Sequence, residues 1–257
     1  MRRFCLLLLV ALFSVGANAQ EHDRILIPTV ANDPVAGAYG SQWVTEISLR
    51  YTGNQWMRRM RLFFPWGCPM ILCVYRELDP GRTYSGAEFI GPNSPHGVVL
   101  RTDGGTAANT VISVRARDLS RALDTWGTEI PVVFINEQST APVVLLDIPT
   151  SDRFRVMLRM YDFGFEANEF IVDIRALNGD EILHQARIPS SILTSIGGSP
   201  EGIWFAALTL SDWPSGAPER VRVTISNVNE AKLWAFATVT NNETQHITVV
   251  SPSRVDR

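Results

Sequence analysis

Apolar and polar residues alternate along most of the chain with a period of two. In residues 43–51 the side chains of Ile47 and Leu49 fall on one face of an extended chain, with polar residues between them. Residues 154–161 repeat this arrangement around Leu158. Such alternation is typical of a β-strand with one buried face. We therefore predict strands over both segments.

The rest of the chain continues in short strand-like segments separated by turn residues. The segments predicted as further strands are residues 60–64, 72–75, 98–101, 111–117, 170–177, 181–188, 203–210, 221–227 and 233–240. Asn178 and Gly179 separate two of them and predict a hairpin, because both residues tolerate the positive φ of a type I′ turn. No long helical pattern is present, although residues 189–196 could form about two turns. The pattern thus predicts an all-β fold.

Two sequence motifs recur in the same order, which indicates an internal repeat. Ile-Pro-Thr occupies residues 27–29 and 148–150, and similar apolar runs occupy residues 130–133 and 247–250. The copies that these motifs bound are 107 and 103 residues long. Units of about 100 residues match the usual size of a β-sandwich.

The repeat predicts two domains joined at a short polar stretch that ends in Pro142. We predict a β-sandwich domain over residues 20–136, a linker over residues 137–141 and a second β-sandwich domain over residues 142–257.

The first nineteen residues have the pattern of a secretory signal peptide. Arg2 and Arg3 precede a twelve-residue apolar run over residues 4–15, and the small residues Ala17 and Ala19 follow it. This predicts a signal peptide over residues 1–19, cleaved after Ala19. The run is too short for a membrane anchor, which needs about twenty apolar residues. We therefore expect a periplasmic, cell-surface or secreted protein with no integral membrane segment after cleavage.

The composition narrows the class of protein further. The chain of 257 residues is 46% apolar and 19% charged, which excludes a disordered chain. Its formal net charge is −3, and cleavage after Ala19 would change it to −5. Arginine accounts for 22 of the 23 basic residues, but an acidic, exported chain is a poor partner for nucleic acid. We therefore expect no nucleic-acid binding.

Cys68 and Cys73 are the cysteines of the exported chain, since Cys5 lies in the predicted signal peptide. Two cysteines this close in an exported protein predict a local disulfide, which would contribute about 2 kcal/mol through loop-closure entropy. A metal or redox site is the alternative, but C-x4-C with no further cysteine or nearby histidine lacks a set of ligands. We therefore predict a structural disulfide.

Motifs for catalysis or metal binding are not evident in the sequence. The histidines are scattered at His22, His96, His184 and His246. Serine-hydrolase, Walker and dinucleotide motifs are missing. Asp118 and Asp124 flank a loop and could bind calcium, but they lack the D-x-D-x-D spacing of such a site, so a turn is the better interpretation. We therefore expect no metal, no cofactor and no enzymatic activity.

Tryptophans beside predicted turns are the candidate ligand-binding residues. They are Trp56, Trp66, Trp126 and Trp213. If several shared one face, their flat rings would form a platform for a sugar. The alternative is that they cap the ends of the sandwich cores, which the large area buried by an indole favours.

Several strand-and-turn segments resemble immunoglobulin-like modules of uncharacterised exported bacterial proteins. These segments are residues 78–84, 101–103, 112–118 and 233–242. The resemblance covers most of the exported chain, but its motifs are of low specificity. It implies two tandem immunoglobulin-like β-sandwich domains after a cleaved signal peptide, and it implies no catalytic residues.

Three functions fit these observations. The first is a non-enzymatic exported protein that acts in surface adhesion, assembly or ligand binding, with an unknown protein or a glycan as its partner. The second is a periplasmic chaperone of pilus subunits, in which Arg24 and Lys232 would supply a basic site. The third is a secreted hydrolase whose residues converge only in the fold. We favour the first.

Overall fold

The computed structural model describes ten segments of the chain: residues 23–54, 57–63, 75–89, 93–102, 107–121, 126–164, 166–196, 203–211, 213 and 216–253. Within these segments the chain is almost entirely extended, and the longest helix is the single turn Gly86–Phe89. The predicted all-β fold is confirmed. None of the helices in the described segments has the length and apolar character needed to cross a membrane.

Ten strands make up what we call the first half of the molecule. They are β1 (Asp23–Ile27), β2 (Val35–Ala36), β3 (Gln42–Tyr51), β4 (Met57–Phe63), β5 (Tyr75–Leu78), β6 (Thr83–Ser85), β7 (Val98–Thr102), β8 (Thr110–Asp118), β9 (Thr128–Glu129) and β10 (Val133–Phe134). They form two antiparallel sheets. The β1 sheet has the order β10-β1-β7-β4-β5, and the β3 sheet has the order β2-β3-β8-β9 with β6 also paired to β3.

Nine strands make up the second half. They are β11 (Val143–Pro149), β12 (Phe154–Asp162), β13 (Phe170–Ala176), β14 (Ile182–Ile188), β15 (Thr194–Ile196), β16 (Ile203–Leu210), β17 (Arg220–Asn227), β18 (Leu233–Asn241) and β19 (Ile247–Val250). The β11 sheet has the order β11-β17-β13-β14, and the β12 sheet has the order β15-β16-β12-β18-β19. Short 3₁₀ turns occupy Ala38–Gly40, Ala107–Asn109, Leu119–Arg121, Ile135–Glu137 and Ser190–Ile192.

The two halves share one strand order. The path β1-β7-β4-β5 in the first half corresponds to β11-β17-β13-β14 in the second, and β6-β3-β8-β9 corresponds to β16-β12-β18-β19. The two halves therefore have closely related topologies. The boundaries of the predicted domains, and the number of immunoglobulin-like domains, stay predictions.

Each half encloses a hydrophobic core between its two sheets, as in a β-sandwich. In the first half, Ile25 and Leu100 of the β1 sheet pack toward Leu49 of the β3 sheet. In the second half, Leu158 of the β12 sheet packs toward Phe170 of the β11 sheet. All five side chains are fully buried, and the alternation of the sequence places them on the inward faces of their strands.

A third hydrophobic cluster joins the two halves. Leu26 lies between two inward-facing residues of β1 and therefore points away from the first core. It belongs to the same buried cluster as the outward-facing Phe205 and Phe236 of the β12 sheet. The strands that supply these residues are apolar on both faces because one face fills a sandwich core and the other fills the contact between the halves.

Hydrogen bonds cross the same contact. The Tyr161 hydroxyl is fully buried and donates to the Pro28 carbonyl oxygen at 2.7 Å. Burial also raises the pKa of Tyr161 to about 12, so the hydroxyl remains a donor at neutral pH. At the far edge of the contact, the Thr128 hydroxyl donates to the Ile247 carbonyl at 2.7 Å. The two halves are thus docked by both apolar and polar contacts.

Two local predictions need correction. The hairpin between β13 and β14 forms as predicted, but neither Asn178 nor Gly179 has a positive φ, so its turn is not type I′. The reason is that five residues, not two, connect the paired strands. Residues 189–196 form a 3₁₀ turn and strand β15 rather than two helical turns, because β15 pairs with β16 at the edge of the β12 sheet.

Candidate functional site

The structure describes two of the four candidate tryptophans, and it places Trp126 in the first half and Trp213 in the second. Trp56 and Trp66 lie outside the described residues, as do Cys68 and Cys73 of the predicted disulfide. Trp213 is half-buried and packs against the core of the second half. There it lines a small cavity of about 70 Å³ with Leu208. Trp213 therefore occupies the position of a core cap.

Trp126 is different, because its side chain is 71% exposed. The guanidinium groups of Arg115 and Arg117 lie 5.0 and 6.0 Å from the centroid of its ring. Both arginines alternate with Ala116 along β8, so they lie on the outer face of the β3 sheet. Each such cation–π contact contributes about 0.5–1 kcal/mol at an exposed site. We call Trp126, Arg115 and Arg117 the Trp126 surface.

Gly127 fixes the position of Trp126 relative to the sheet. Its φ is +93°, and a Cβ at this position would come within 2.6 Å of the Ala116 carbonyl oxygen. Only glycine permits both this backbone conformation and this close approach of the chain to β8. The backbone conformation next to Trp126 therefore depends on Gly127.

Directly beside Gly127, a cleft of about 270 Å³ opens between the two halves. Its walls include the side chains of Trp43, Asp118, Arg121, Thr128, Gln245 and His246. The first four belong to the first half and the last two to the second. We call this site the Asp118 cleft. It exists only because the two halves are docked.

Asp118 is the most constrained side chain of the cleft. Its Oδ1 atom accepts hydrogen bonds from the Gln42 N–H at 2.9 Å, the Ser120 N–H at 3.0 Å and the Ser120 hydroxyl at 2.7 Å. Its Oδ2 atom is buried and has no hydrogen-bond partner among the described residues. The Arg121 Nε lies 3.9 Å from Oδ2 and forms an ion pair with it.

The hydrogen bonds decide the charge of this carboxylate. Burial alone would raise the pKa of Asp118. This effect is smaller than the lowering of the pKa by the hydrogen bonds from Gln42 and Ser120 and by the positive charge of Arg121. The pKa is held below its ordinary value. Asp118 is therefore ionised at neutral pH, with one oxygen that accepts no hydrogen bond from the described residues.

The ring of Trp43 forms one wall of the cleft and is held in place. Its Nε1 donates to the Ser41 hydroxyl at 2.9 Å. Gly37 passes so close to the ring that a Cβ there would lie 2.6 Å from Nε1. On the opposite side, Arg155 donates to Gln245 at 3.0 Å and lies 5.3 Å from the Tyr39 ring centroid. The walls formed by Trp43 and Gln245 are thus held by contacts within the protein.

Exposed apolar side chains are concentrated around this end of the molecule. Val35, Tyr39, Leu119 and Trp126 are four of the five large apolar residues that are exposed in the described part of the first half. Val35 pairs with Trp43, which in turn pairs with Asp118. Clustered exposed apolar residues mark binding surfaces more often than isolated ones. We therefore treat the Trp126 surface and the Asp118 cleft as the candidate site.

Among the described lining residues of the cleft, Asp118 is the one carboxylate. The described residues also contain no cluster of His, Cys, Asp and Glu side chains that could hold a metal ion. The sequence pattern favours a turn at Asp118 and gives no signal that Trp43 or His246 belongs to a site.

Arg24 and Lys232, the candidate basic residues of a chaperone, both lie near Asn136. Burial lowers the pKa of Arg24, which lines a pocket of about 280 Å³ with Asn136 and Glu137. Lys232 Nζ donates to the Asn136 carbonyl at 3.2 Å. The structure therefore brings these two cations to one neighbourhood, away from the residues of the Asp118 cleft.

Comparison of the chain with protein-family models, curated proteins and solved structures gives no match.

Proposed function

We propose that the chain is an exported, non-enzymatic binding protein of the periplasm or cell surface, and that it binds a glycan at the Trp126 surface. Adhesion or surface assembly would be its role. The observation that carries this proposal is the exposed Trp126 ring, which lies within 6.0 Å of two guanidinium groups beside a polar cleft.

The physical basis is the shape and polarity of the indole. A flat aromatic ring packs against the C–H face of a sugar, and it contributes much contact area at a small cost in conformational entropy. The two guanidinium groups already restrict the ring, so less ordering is needed when a ligand binds. Their N–H groups can also donate to sugar hydroxyl oxygens at the edge of the ring.

A glycan array tests the proposal. The exported chain is expected to be retained by at least one glycan class, and Trp126→Ala should abolish that retention. Ile192→Ala is the matched control, because Ile192 is a large apolar residue of the second half that is 65% exposed. Equal retention of the wild type and Trp126→Ala, or no retention of the wild type, would refute glycan binding at this surface.

A periplasmic chaperone is the second candidate, and the proximity of Arg24 and Lys232 to Asn136 favours it. Two cations beside one pocket can bind the terminal carboxylate of a peptide. Peptides with a free C-terminus should then bind the wild type, and amidation of the peptide or Arg24→Gln should abolish binding. Equal binding of free and amidated peptides would exclude this function.

A further inference from the structure

We infer that the Asp118 cleft binds a single sugar residue, at the end of a glycan whose adjoining residues lie on the Trp126 surface. This inference rests on the proposed function for its class of ligand. It adds a second site, with residues from both halves of the molecule.

The lining of the cleft favours a neutral, polyhydroxylated ligand. The ionised Asp118 accepts hydrogen bonds and disfavours an anion, while the neighbouring Arg121 charge disfavours a cation. Together they offer an acceptor and donors at one place, which matches the hydroxyl groups of a sugar. The wall formed by Trp43 provides an apolar surface for the C–H face of the ring.

The second carboxylate oxygen of Asp118, Oδ2, also points to a ligand. A buried carboxylate oxygen without a hydrogen bond is unfavourable, because desolvation is not offset by a donor. Asp118 Oδ2 accepts no hydrogen bond from the described residues, and the Arg121 Nε that forms an ion pair with it lies 3.9 Å away, beyond hydrogen-bond distance. A sugar hydroxyl that reached it would supply the missing hydrogen bond.

Arg121 controls access to that oxygen. Its guanidinium donates to the Thr244 carbonyl of the second half, and its side chain is 36% exposed. Because it spans the cleft near Asp118, it must turn away from Thr244 when a sugar enters. In its new position the guanidinium can donate to the sugar, so the movement exchanges one acceptor for another.

The size and position of the cleft limit the ligand to about one ring. Its volume of about 270 Å³ lies below the roughly 300–1,000 Å³ of pockets that enclose drug-sized molecules. Gly127 lines the cleft and Trp126 precedes it in the chain, so their Cα atoms are about 3.8 Å apart. The Trp126 ring lies over Arg115 and Arg117 on the outer face of the β3 sheet, whereas Ala116 and Asp118 line the cleft from the other face. A glycan that enters the cleft with its terminal residue must therefore pass around the edge strand β9 at Gly127 to reach the Trp126 ring.

NMR of the intact chain can test the two sites separately. The probes are the methyl glycosides of glucose, galactose, mannose and N-acetylglucosamine, and the β-1,4-linked tetrasaccharides of glucose and N-acetylglucosamine. The reporters are the indole N–H resonances of Trp126 and Trp43 and the imidazole resonances of His246. His184 is the internal control, because it lies on β14 of the second half and outside the cleft.

We expect one tetrasaccharide to shift the resonances of Trp126, Trp43 and His246 with the same Kd, and to leave His184 unchanged. A saturable shift of Trp126 without shifts of Trp43 and His246 would overturn the inference and leave the proposed function standing. If none of these probes shifts any of the reporters, both are wrong.

Two variants assign the interaction to the cleft. Asp118→Asn and Arg121→Gln should each raise the Kd of the tetrasaccharide at least tenfold, while the Trp126 resonance in the free protein stays in place. Arg121→Gln keeps the test valid if Asp118→Asn does not fold. Arg153→Gln is the matched control, because Arg153 is an exposed arginine paired with Glu243 outside the cleft. An unchanged Kd in Arg121→Gln would contradict the inference.

Discussion

At the scale of single residues, Tyr161 connects the two halves most directly. Its ring centroid lies 5.2 and 5.8 Å from those of Phe205 and Trp234, and its hydroxyl donates to Pro28. Arg159 donates to the same carbonyl at 3.3 Å. A buried hydroxyl with a single short hydrogen bond is a defined target for substitution.

Tyr161→Phe should lower the free energy of unfolding by about 1 kcal/mol, since the hydrogen bond to Pro28 is lost while the ring is retained. Urea denaturation measures the change. Tyr39→Phe is the control, because Tyr39 is 73% exposed, and it should leave stability unchanged. Equal effects of the two substitutions would show that the Tyr161 hydroxyl does not stabilise the contact.

His96 predicts a pH dependence of stability. Burial and then the positive charge of Arg159 lower the pKa of His96 below its ordinary value of 6.5. Its ring centroid lies 5.0 Å from that of Phe205 in the contact between the halves. The unfolded chain therefore binds a proton at a higher pH than the folded chain does.

Neutral His96 makes its full contribution to the free energy of unfolding above the ordinary histidine pKa of 6.5. This contribution should decrease as the pH falls from 6.5 toward the pKa of His96 in the folded protein, and it should level off below that pKa. Urea midpoints of the wild type and His96→Gln, measured between about pH 7.5 and 4.5, isolate this contribution. If the two proteins lose stability in parallel across this range, His96 is not the responsible group.

At the scale of elements, the connection between β8 and β9 determines where Trp126 lies. Gly127→Ala should cost more than the roughly 1–2 kcal/mol of a left-handed backbone conformation, because the new Cβ would also clash with the Ala116 carbonyl. Gly81→Ala is the matched control, since Gly81 has a φ of +75° with no atom within 4 Å of the added Cβ.

Urea denaturation measures the loss of stability in each variant. Because the chain has seven tryptophans, the indole N–H resonance of Trp126 in NMR spectra, and not the total fluorescence, reports its surroundings. We expect a larger loss of stability and a shifted Trp126 resonance in Gly127→Ala alone. Equal losses in the two variants would mean that β9 moves away from β8 without strain.

Most of the long strands were predictable from the sequence, although β1 and β11 were not among the predicted segments. The segment predicted over residues 203–210 is observed as Ile203–Leu210, because period-two alternation follows directly from the geometry of an extended chain. The partner of each outward-facing apolar residue was not predictable. The sequence shows only that Phe205 adds to a second apolar face of its strand. In the structure Phe205 belongs to a buried cluster that includes residues from the other half of the chain.

The candidate site was predictable only in part. Trp126 was selected because it stands beside a glycine in a predicted turn, and the structure places it on an exposed surface. The Asp118 cleft combines Trp43 and Asp118 with His246, which lies more than a hundred residues further along the chain. No local sequence pattern predicts that these residues lie close together, because their proximity depends on how the two halves dock.

At the scale of the whole molecule, the fold contains three buried hydrophobic clusters. Two lie inside the sandwiches, and the third lies between the β1 and β12 sheets. The third contains the large fully buried side chains of Tyr161 and Phe236. Burial of this kind stabilises each half only while it is docked to the other. The two halves should therefore unfold together.

Leu26→Ala removes apolar contact from the third cluster without changing an inward-facing residue of either core. We expect it to lower the free energy of unfolding by about 2–5 kcal/mol, as for other fully buried leucines. Leu146→Ala is the control, since Leu146 is 38% exposed and should change stability by about 0.5 kcal/mol or less. Similar effects of the two substitutions would argue against a tightly packed contact.

Docking of the two halves is the central claim, because both the Asp118 cleft and the position of Trp126 beside it depend on it. Differential scanning calorimetry of the exported chain tests it most directly. The wild type should unfold in one endotherm, and Leu26→Ala should shift that endotherm to lower temperature or divide it into two. Two separate endotherms in the wild type, neither of them moved by Leu26→Ala, would contradict the claim.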